Sequence, residues 1–450
     1  MVTFIRSAGR ASARSAVAAS ILAPVLFLGA APAAAEEKDG QDKEPKPPAS
    51  MSTVGGERLG RPGTQVERGP NAPELPKDVT ARAWIVADAE TGDVLAAHNA
   101  HWELPPASTL KMLFADTLLP KFDAETTYTV QREDLEPMGV GSSAVGVKEN
   151  YEYSVHQLWN GVFLASGNDA VHALAALNGG LEQTVREMNE RAAELGADDT
   201  HVVSPDGYDA EGQTSSAYDL TLIARSGMQK PDFRAYAATG TAEFPGGYAD
   251  ENDADDADAD AQDQNGDADT DAGDDGEGAG EKKRKREFYD IQSTNRLLVG
   301  SYGLEPYEGL AGIKNGSTTE AGHTFTGVAE RNDRALLVTV MHPDEEKGAN
   351  GVYEEAAALL DWGFAAAGKV KPVGELVPPE GALRPVGQAE GTTGQAGGTP
   401  AGDPEDLATG SVPQAEGGSG LPTAVGLVAV TAVALAGATW LAHRRWPNQR

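Results

Sequence analysis

Segments with regular apolar spacing are confined to one part of this 450-residue chain, from Ala81 to Phe364, and their order constrains the fold. Two short apolar runs come first, in ARAWIVADAETGDVLAAHNA, and flank Thr91-Gly92, a pair typical of a β-hairpin turn. Gly196 and Ser215-Ser216 stand where one helix is expected to end and another to begin. Helical periodicity predicts helices over 108–119, 154–164, 169–177, 181–195 and 216–227.

Strand patterns return in the later part of this region. GLAGIKNG, GHTFTGVAE and RALLVTVMH are apolar or alternating runs joined by short polar turns, and VYEEAAALLDWGF follows as a closing helix. Two strands come first, helices fill the middle and three strands come last. This order predicts an α+β fold, with a five-stranded antiparallel sheet packed with helices and a helical subdomain.

A highly charged tract interrupts the region at about 246–286. Residues 250–281 carry 15 acidic side chains and 282–286 carry five basic ones, so the tract supplies −10 of the formal net charge of −33. DADTDAGDDGE resembles a calcium loop, but its glycine falls one place later than an EF-hand requires and no helical pair flanks it. We therefore interpret the tract as a disordered insert, because such charge density cannot bury a core.

Both ends of the chain have the composition of targeting and linking segments. Residues 1–35 combine early arginines, an apolar run and the small-residue site APAAAEE, which predicts a secretory signal peptide. Residues 421–442 form an uncharged apolar run long enough to cross a bilayer, and the arginines that follow predict a cytoplasmic tail over 443–450. Residues 36–78 are interpreted as a disordered linker and 373–420 as a Pro/Gly-rich linker.

This organisation predicts a folded domain over 79–372 that is exported and anchored in the cell membrane by one C-terminal helix. The chain has no cysteine, which excludes disulfides, zinc–thiolate sites and thiol nucleophiles. Its negative charge argues against nucleic acid as a partner. The eight histidines, His201 and His323 among them, show no metal-ligand spacing, so we expect no metal site.

Three short motifs carry the candidate chemistry, and each is weak alone. PPASTLK places Ser108 three residues before Lys111. LASGNDAV places Ser166 and Asn168 at a break between helical segments, and AGIKNG places Lys314 on a strand. The simpler alternatives are that the first serine only caps a helix, that the loop residues cap the next one, and that the strand lysine is solvated. Together and in this order, however, the motifs form the constellation of penicilloyl-serine transferases.

From about Val79 to Phe364 the chain resembles the low-molecular-mass penicillin-binding proteins, specifically the D-alanyl-D-alanine carboxypeptidases. The likeness also covers MNERAAELGADDTHVVSPDGYDAEGQTSSAYDLTLIA, STNRLL and GIKNGSTTEAGHTFTG. It implies a β-lactamase/transpeptidase-like fold and a serine peptidase without a cofactor. Such an enzyme removes the terminal D-alanine of peptidoglycan stem peptides and is acylated by β-lactams.

The resemblance also implies roles for the motif residues. Ser108 is the nucleophile, and Lys111, one helical turn away, can act as its base only when neutral. Burial and a second cation, Lys314, would both lower the pKa of that base. Ser166 would relay protons towards the leaving group, and Asn168 would orient Lys111 and the substrate amide.

A second set of positions, on the Lys-x-Gly strand, is implied to bind the substrate. The backbone N–H groups of Ser108 and Ser317 would form the oxyanion hole. The terminal carboxylate of the substrate would be bound along this strand. The positions expected to contact substrate are Lys314, Asn315, Gly316, Ser317 and Thr318.

Three departures from the family pattern are visible. Asn315 stands where most members have threonine, so its amide would have to replace a hydroxyl donor, with Thr318 in reserve. GANGVYEE lacks an arginine that some members carry before the final helix. Relatives often have a second, small β domain, whereas here linker sequence follows almost at once.

Two other functions are compatible with the sequence. One is a β-lactamase of the same superfamily, which differs only in how fast water clears the acyl-serine. The other is a surface-interaction or cation-binding protein whose catalytic fold is a relic. The intact motif residues argue against the relic.

Overall fold

Strands and helices follow one another in the predicted order in the computed structural model, which describes residues 45–248 and 285–379. The strands of these residues are Thr64–Arg68 (β1), Ala83–Asp88 (β2), Asp93–His98 (β3), Thr127–Thr129 (β4), Glu152–Ser154 (β5), Thr241–Tyr248 (β6), Arg286–Gln292 (β7), Leu310–Thr318 (β8), Gly322–Arg331 (β9), Arg334–Met341 (β10), Val370–Lys371 (β11) and Gly374–Glu375 (β12). The helices are Lys111–Leu118 (α1), Arg132–Leu135 (α2), Val155–Leu164 (α3), Asn168–Leu177 (α4), Leu181–Leu195 (α5), Ala217–Met228 (α6), Pro231–Ala237 (α7), Arg296–Val299 (α8) and Gly351–Ala366 (α9). Short 3-10 turns lie at Ala107–Leu110, Leu119–Lys121 and Glu345–Asn350.

The main sheet of the described residues is antiparallel and has eight strands. Its order is β11-β1-β3-β2-β10-β9-β8, with β12 also paired to β3. The five predicted strands are β2, β3, β8, β9 and β10, which lie side by side in the sheet as β3-β2-β10-β9-β8, so the α+β fold is confirmed. Two further antiparallel pairs, β4 with β5 and β6 with β7, lie outside the main sheet.

Helices cover both faces of the main sheet. Successive side chains of a strand point to opposite faces, so Ile85 and Val86 of β2 enter different apolar clusters, although both are fully buried. The larger cluster contains residues of α1, α3, α4 and α6, and the smaller one contains residues of α9. A central strand buried on both faces explains why AWIVAD reads as a continuous apolar run.

Local sequence signals set the ends of several helices. Gly196 follows α5 with a φ of 75°, the left-handed conformation that glycine adopts without steric cost. The hydroxyl of Ser216 accepts the backbone N–H of Asp219 and caps α6. These observations confirm both predicted boundaries, since α5 spans 181–195 and α6 begins one residue later than expected.

The predicted limits of the folded domain are wrong at both ends. Residues 64–68, placed in the disordered linker, form β1, which pairs with β3 and β11. Its sequence, TQVER, has one apolar residue, so nothing but pairing marks it as a strand. At the other end β12 lies within the segment predicted as the second linker. Together with β11, which lies inside the predicted domain, these two strands bring the sheet from the predicted five to eight.

The C-terminal end of the described chain is fastened to the body by hydrogen bonds. The N–H of Val373 donates to Val94 O at 2.9 Å, and the N–H of Leu376 donates to Gly92 O at 2.7 Å. The buried hydroxyl of Tyr218 donates to Glu375 O at 2.9 Å and accepts the N–H of the second residue beyond at 3.0 Å. We call residues 373–377 the C-terminal clasp.

Several predicted segments lie outside the described residues: the signal peptide, most of the acidic insert at 249–284, the linker beyond 379, the membrane span at 421–442 and the tail. The insert is flanked by the β6–β7 pair. Within residues 45–248 and 285–379, no helix has the length and apolar character needed to cross a bilayer.

A buried carboxylate joins α9 to the start of β2. Glu355 is 2 % exposed and accepts three hydrogen bonds from the neighbouring segment, from the N–H and hydroxyl of Thr80 at 2.9 and 2.7 Å and from the N–H of Ala81 at 3.1 Å. Lys347 lies 2.9 Å away as its counter-charge. The adjacent Glu354 is exposed.

We predict that Glu355→Gln lowers the free energy of unfolding by about 2 kcal/mol, because an amide nitrogen then faces backbone donors that have lost an acceptor. Urea denaturation measures the change. Glu354→Gln is the matched control and should stay within about 0.5 kcal/mol of the parent. Equal stability of the two variants would contradict this role for Glu355.

Candidate active site

Ser108 lies in the 3-10 turn that leads into α1, at the mouth of the site. The turn begins after Pro106, and no side chain caps it, so the alternative that Ser108 is an N-cap is wrong. The preceding residue, Ala107, has a φ of 50°, which is unusual for a residue with a side chain. The hydroxyls of Thr109 and Thr324 both donate to Pro106 O, at 2.5 and 3.0 Å, and hold this turn.

Two glycines lie in close contact with the same turn. A Cβ on Gly207, which has a φ of 78°, would lie 2.1 Å from Ala107 O. A Cβ on Gly316 of β8 would lie 2.7 Å from the N atom of Ser108. Only glycine allows such close approach of backbone segments, so strand β8 and the loop before α6 both pass directly beside the serine.

Lys111, the first residue of α1, is 1 % exposed and donates to three oxygen atoms. Its Nζ lies 2.9 Å from Ser108 Oγ, 2.7 Å from Asn168 Oδ1 and 2.5 Å from Asp206 O. A neutral amine keeps only two N–H bonds. If these stay on the amide oxygen and the backbone carbonyl, the lone pair points at the hydroxyl of Ser108.

The pKa of Lys111 is lowered, as a general base that must be neutral requires. Burial lowers its pKa to about 8, against the opposing charges of Asp206 and Asp169. The two lysines also repel each other: burial, and then the charge of Lys111, hold the pKa of Lys314 well below its usual value.

The Ser-x-Asn motif forms the break between α3 and α4. Ser166 is 6 % exposed with a φ of 57°, and its Oγ accepts from Lys314 Nζ at 3.0 Å. Asn168 begins α4 and donates from Nδ2 to Ser142 Oγ at 3.0 Å, which leaves Oδ1 to accept from Lys111. Neither motif residue caps the helix through its side chain.

Lys314 lies on β8 and is 1 % exposed, so the alternative that it is a solvated strand lysine is wrong. Besides Ser166, its Nζ donates to the backbone oxygen of Asn315 at 2.7 Å. Four of the five predicted catalytic residues form two hydrogen-bonded pairs, Ser108 with Lys111 and Ser166 with Lys314. The fifth, Asn168, lies between Lys111 and the loop at 142. Both lysines are buried, whereas Ser108 is partly exposed.

The predicted substrate positions follow Lys314 along β8, which is the last strand in the order of the described sheet. Asn315 Oδ1 accepts from the hydroxyl of Thr294 at 3.1 Å, so its amide nitrogen remains as a donor. Thr318 Oγ1 accepts the N–H of Ala321 and closes the turn to β9 at 3.2 Å. Ser317 is exposed.

Four side chains near the lysine were missed by the sequence reasoning. Asp169 is buried and accepts the N–H groups of the loop at 145–147, which holds that loop against Asn168. Ser142 lies on the same loop. Asp206 and His172 form a buried pair at 3.2 Å behind Lys111. An acid in the first turn of a helix is the one signal that could have singled out Asp169.

A separate buried cluster tests the expectation that no metal is held. Ligand atoms of His101, Asp199 and Asp219 lie within 4.8 Å of one another. Two ligands of one tetrahedral zinc ion would lie roughly 3.3 Å apart. His101 Nδ1 is instead 2.6 Å from Asp199 Oδ2, and its Nε2 is 3.0 Å from Val54 O. These are hydrogen-bond lengths, so His101 and Asp199 form a hydrogen-bonded pair.

The sequence and the fold both match known proteins. The profile of the D-alanyl-D-alanine carboxypeptidase family matches residues 69–248. The chain is 34 % identical to the D-alanyl-D-alanine carboxypeptidase DacB2 of Mycobacterium tuberculosis over 290 residues, which cover 64 % of this chain and 84 % of that protein. This chain belongs to the D-alanyl-D-alanine carboxypeptidase family. The enzyme DacD of Escherichia coli is 31 % identical over 67 % of each chain.

Solved structures share this fold. A D-alanyl-D-alanine carboxypeptidase from Mycobacterium tuberculosis has a TM-score of 0.54 and 32 % identity, and the match covers 68 % of this chain and 99 % of that one. The Streptomyces K15 DD-transpeptidase, with a TM-score of 0.53, covers 65 % of this chain and 100 % of its own at 23 % identity. The second match shows the shared fold alone.

We predict that Gly316→Ala slows acylation of Ser108 about 100-fold, because the added methyl group pushes β8 away from the serine. The measurement is the rate at which a serine-directed acylating probe labels Ser108, followed by mass spectrometry. Gly240→Ala is the matched control, since its Cβ would meet only Val299 at 3.6 Å. Labelling of Gly316→Ala at the parental rate would show that β8 does not fix the turn.

Proposed function

We propose that this protein is a serine D-Ala-D-Ala carboxypeptidase that trims the terminal D-alanine from peptidoglycan stem peptides. The observation that carries this proposal is the contact of Lys111 Nζ with Ser108 Oγ at 2.9 Å, in a site where burial lowers the pKa of the lysine. Family membership supplies the reaction class. The edge position of β8 provides backbone groups with which an extended peptide can pair.

Acylation begins when neutral Lys111 takes the proton of Ser108, whose oxygen attacks the carbonyl carbon of the penultimate D-alanine. The backbone N–H groups of Ser108 and Ser317 stabilise the developing oxyanion. The peptide C–N bond then breaks, and the proton held by Lys111 passes through Ser166, which Lys314 orients, to the leaving D-alanine amine. Neutral Lys111 next takes a proton from water, whose oxygen attacks the ester carbonyl, and the oxygen of Ser108 leaves with that proton.

The proposed location is outside the cell, with the chain anchored by residues 421–442. Support comes from the sequence alone: basic residues before an apolar run at the N-terminus, and the uncharged run near the C-terminus followed by arginines. Stem peptides lie outside the cytoplasmic membrane, so the proposed substrate and location are consistent. Fractionation of cells expressing the full chain, followed by protease accessibility of the domain, tests this proposal.

We predict that Ser108→Ala abolishes both labelling by a fluorescent penicillin and release of D-alanine from a D-Ala-D-Ala peptide, because among the described residues no other hydroxyl is hydrogen-bonded to Lys111. The fold should be retained, as measured by thermal unfolding. Ser301→Ala, a serine of the loop before β8, is the matched control and should be labelled like the parent. Persistent labelling of Ser108→Ala at another serine would contradict the assignment. Rapid penicillin turnover by the parent without D-alanine release would favour the β-lactamase alternative.

We predict that Asn315→Leu lowers kcat/KM for D-alanine release roughly ten- to 150-fold, because a hydrogen bond to a charged group contributes about 1.5–3 kcal/mol. Asn315→Thr retains a donor and should keep substantial activity. Steady-state assays on a D-Ala-D-Ala peptide measure both variants. If the leucine variant matches the parent, the carboxylate is not held by Asn315, and Thr318 becomes the next donor to test.

A further inference from the structure

Arg296 is a half-buried cation near the strand that is expected to bind substrate. It is the first residue of α8, and its Nη1 donates to Asn350 Oδ1 at 2.6 Å. Its guanidinium carbon lies 4.3 Å from the ring centre of Tyr302 and 5.6 Å from that of Tyr353. Within the described part of the chain these are the contacts of the guanidinium, and none of them is with a carboxylate.

The contacts of Arg296 leave one edge of its guanidinium for a ligand. The group carries its N–H donors in a planar fork, and stacking on aromatic rings does not consume these donors. Among the described residues, only Nη1 has a hydrogen-bond partner. The N–H groups of Nε and Nη2 share an edge and match the two oxygen atoms of a carboxylate. Arg296 can therefore bind a carboxylate while it keeps its contact with Asn350.

The side chain of Asn315 points to the face of the sheet on which Arg296 lies. Asn315 of β8 pairs with Phe325 of β9, and directly opposed residues of two strands share a face. Phe325 belongs to the smaller apolar cluster, together with residues of α9. Its ring centre lies 5.3 Å from that of Tyr353, the residue that also contacts Arg296.

Two further contacts bring Arg296 close to β8. Thr294, two residues before it, donates from its hydroxyl to Asn315 Oδ1 at 3.1 Å, and its backbone oxygen accepts from the hydroxyl of Tyr353 at 3.3 Å. Burial and then the charge of Arg296 lower the pKa of His323, which lies on β9 opposite the predicted substrate positions. The cation is therefore next to the segment on which the terminal carboxylate is expected.

Arg296 also lies beside the segment that departs from the family pattern. GANGVYEE lacks the arginine that some members carry before the final helix. Asn350 belongs to this segment, and it is the residue that accepts a hydrogen bond from Arg296. A guanidinium is thus present at this place, but it is supplied by α8.

We propose that Arg296 is a specificity-determining residue that binds the terminal carboxylate of the substrate together with the Asn315 amide, and that it supplies the cation missing before α9. This inference deepens the proposed function and rests on it for the identity of the substrate. The carboxylate would accept from Nε and Nη2. A neutral C-terminus, such as a carboxamide, has no charge for Arg296 to bind.

The test compares a D-Ala-D-Ala peptide that ends in a free carboxylate with the same peptide that ends in a carboxamide. The proteins are the parent, Arg296→Gln and Arg296→Lys. The ratio of the two kcat/KM values isolates recognition of the charge, because a folding defect lowers both values together. Arg331→Gln is the matched control, since Arg331 also lies over a tyrosine ring, at 4.4 Å, but is paired with Asp361 at 2.8 Å.

We expect Arg296→Gln to lower the ratio of carboxylate to carboxamide cleavage roughly ten- to 100-fold, because hydrogen bonds to a charged group are lost. Arg296→Lys keeps the charge without the fork and should lose less of the ratio. It is the deciding variant if Arg296→Gln does not fold. Arg331→Gln should keep the parental ratio. An unchanged ratio in the Arg296 variants, or equal losses on both peptides, would overturn the inference.

Binding to Ser108→Ala, which cannot form the acyl-serine, separates this inference from the proposed function. Titration calorimetry with the two peptides measures the preference for the carboxylate without turnover. Loss of that preference when Arg296→Gln is added supports the carboxylate site even if the parent releases no D-alanine, a result that contradicts the proposed function alone. Equal affinity of Ser108→Ala for both peptides would contradict the carboxylate site.

Discussion

The burial of Lys111 with three oxygen acceptors is the constraint on which the site depends. An ammonium group removed from water is costly unless it is fully hydrogen-bonded, and all three of its N–H groups have partners here. The partners come from different parts of the chain: a turn, the start of α4 and a loop before α6. Satisfying one lysine therefore requires these three segments to be assembled around it.

The surrounding architecture serves this requirement. β8 brings Lys314 and Gly316 to the turn that carries Ser108, and glycine allows the approach. Two residues with side chains, Ala107 and Ser166, have positive φ values at the site. Each costs on the order of 1–3 kcal/mol and persists only because neighbouring contacts hold it. The strain lies at the nucleophile and at the proposed proton relay, where geometry decides the rate.

The features that could be predicted from the sequence are those set by residues close together in the chain. Gly196 ends a helix and Ser216 begins one because each acts within a few residues of itself, and the three motifs could be ordered along the chain. Strand β1 was missed because TQVER has no periodic apolar face and is defined by its pairing. The contact from Asp206 to Lys111 was missed because it is made by a backbone carbonyl 95 residues away, which no residue type reveals. The lowering of the pKa of Lys111 by burial was expected, but the opposing charges of Asp206 and Asp169 were not, because tertiary packing brings them to the lysine.

The C-terminal clasp has a mechanical consequence. Any pulling force that enters the domain from beyond residue 379 reaches residues 373–377 first, including the short strand β12, before it reaches the rest of the sheet. There it meets short backbone hydrogen bonds to Gly92 and Val94 and the two-sided bond of the Tyr218 hydroxyl. Tyr218 belongs to α6, which packs on β2 and β10 in the larger apolar cluster. Load is thus passed to β3 and α6 and not directly to β8, the strand that lies beside Ser108.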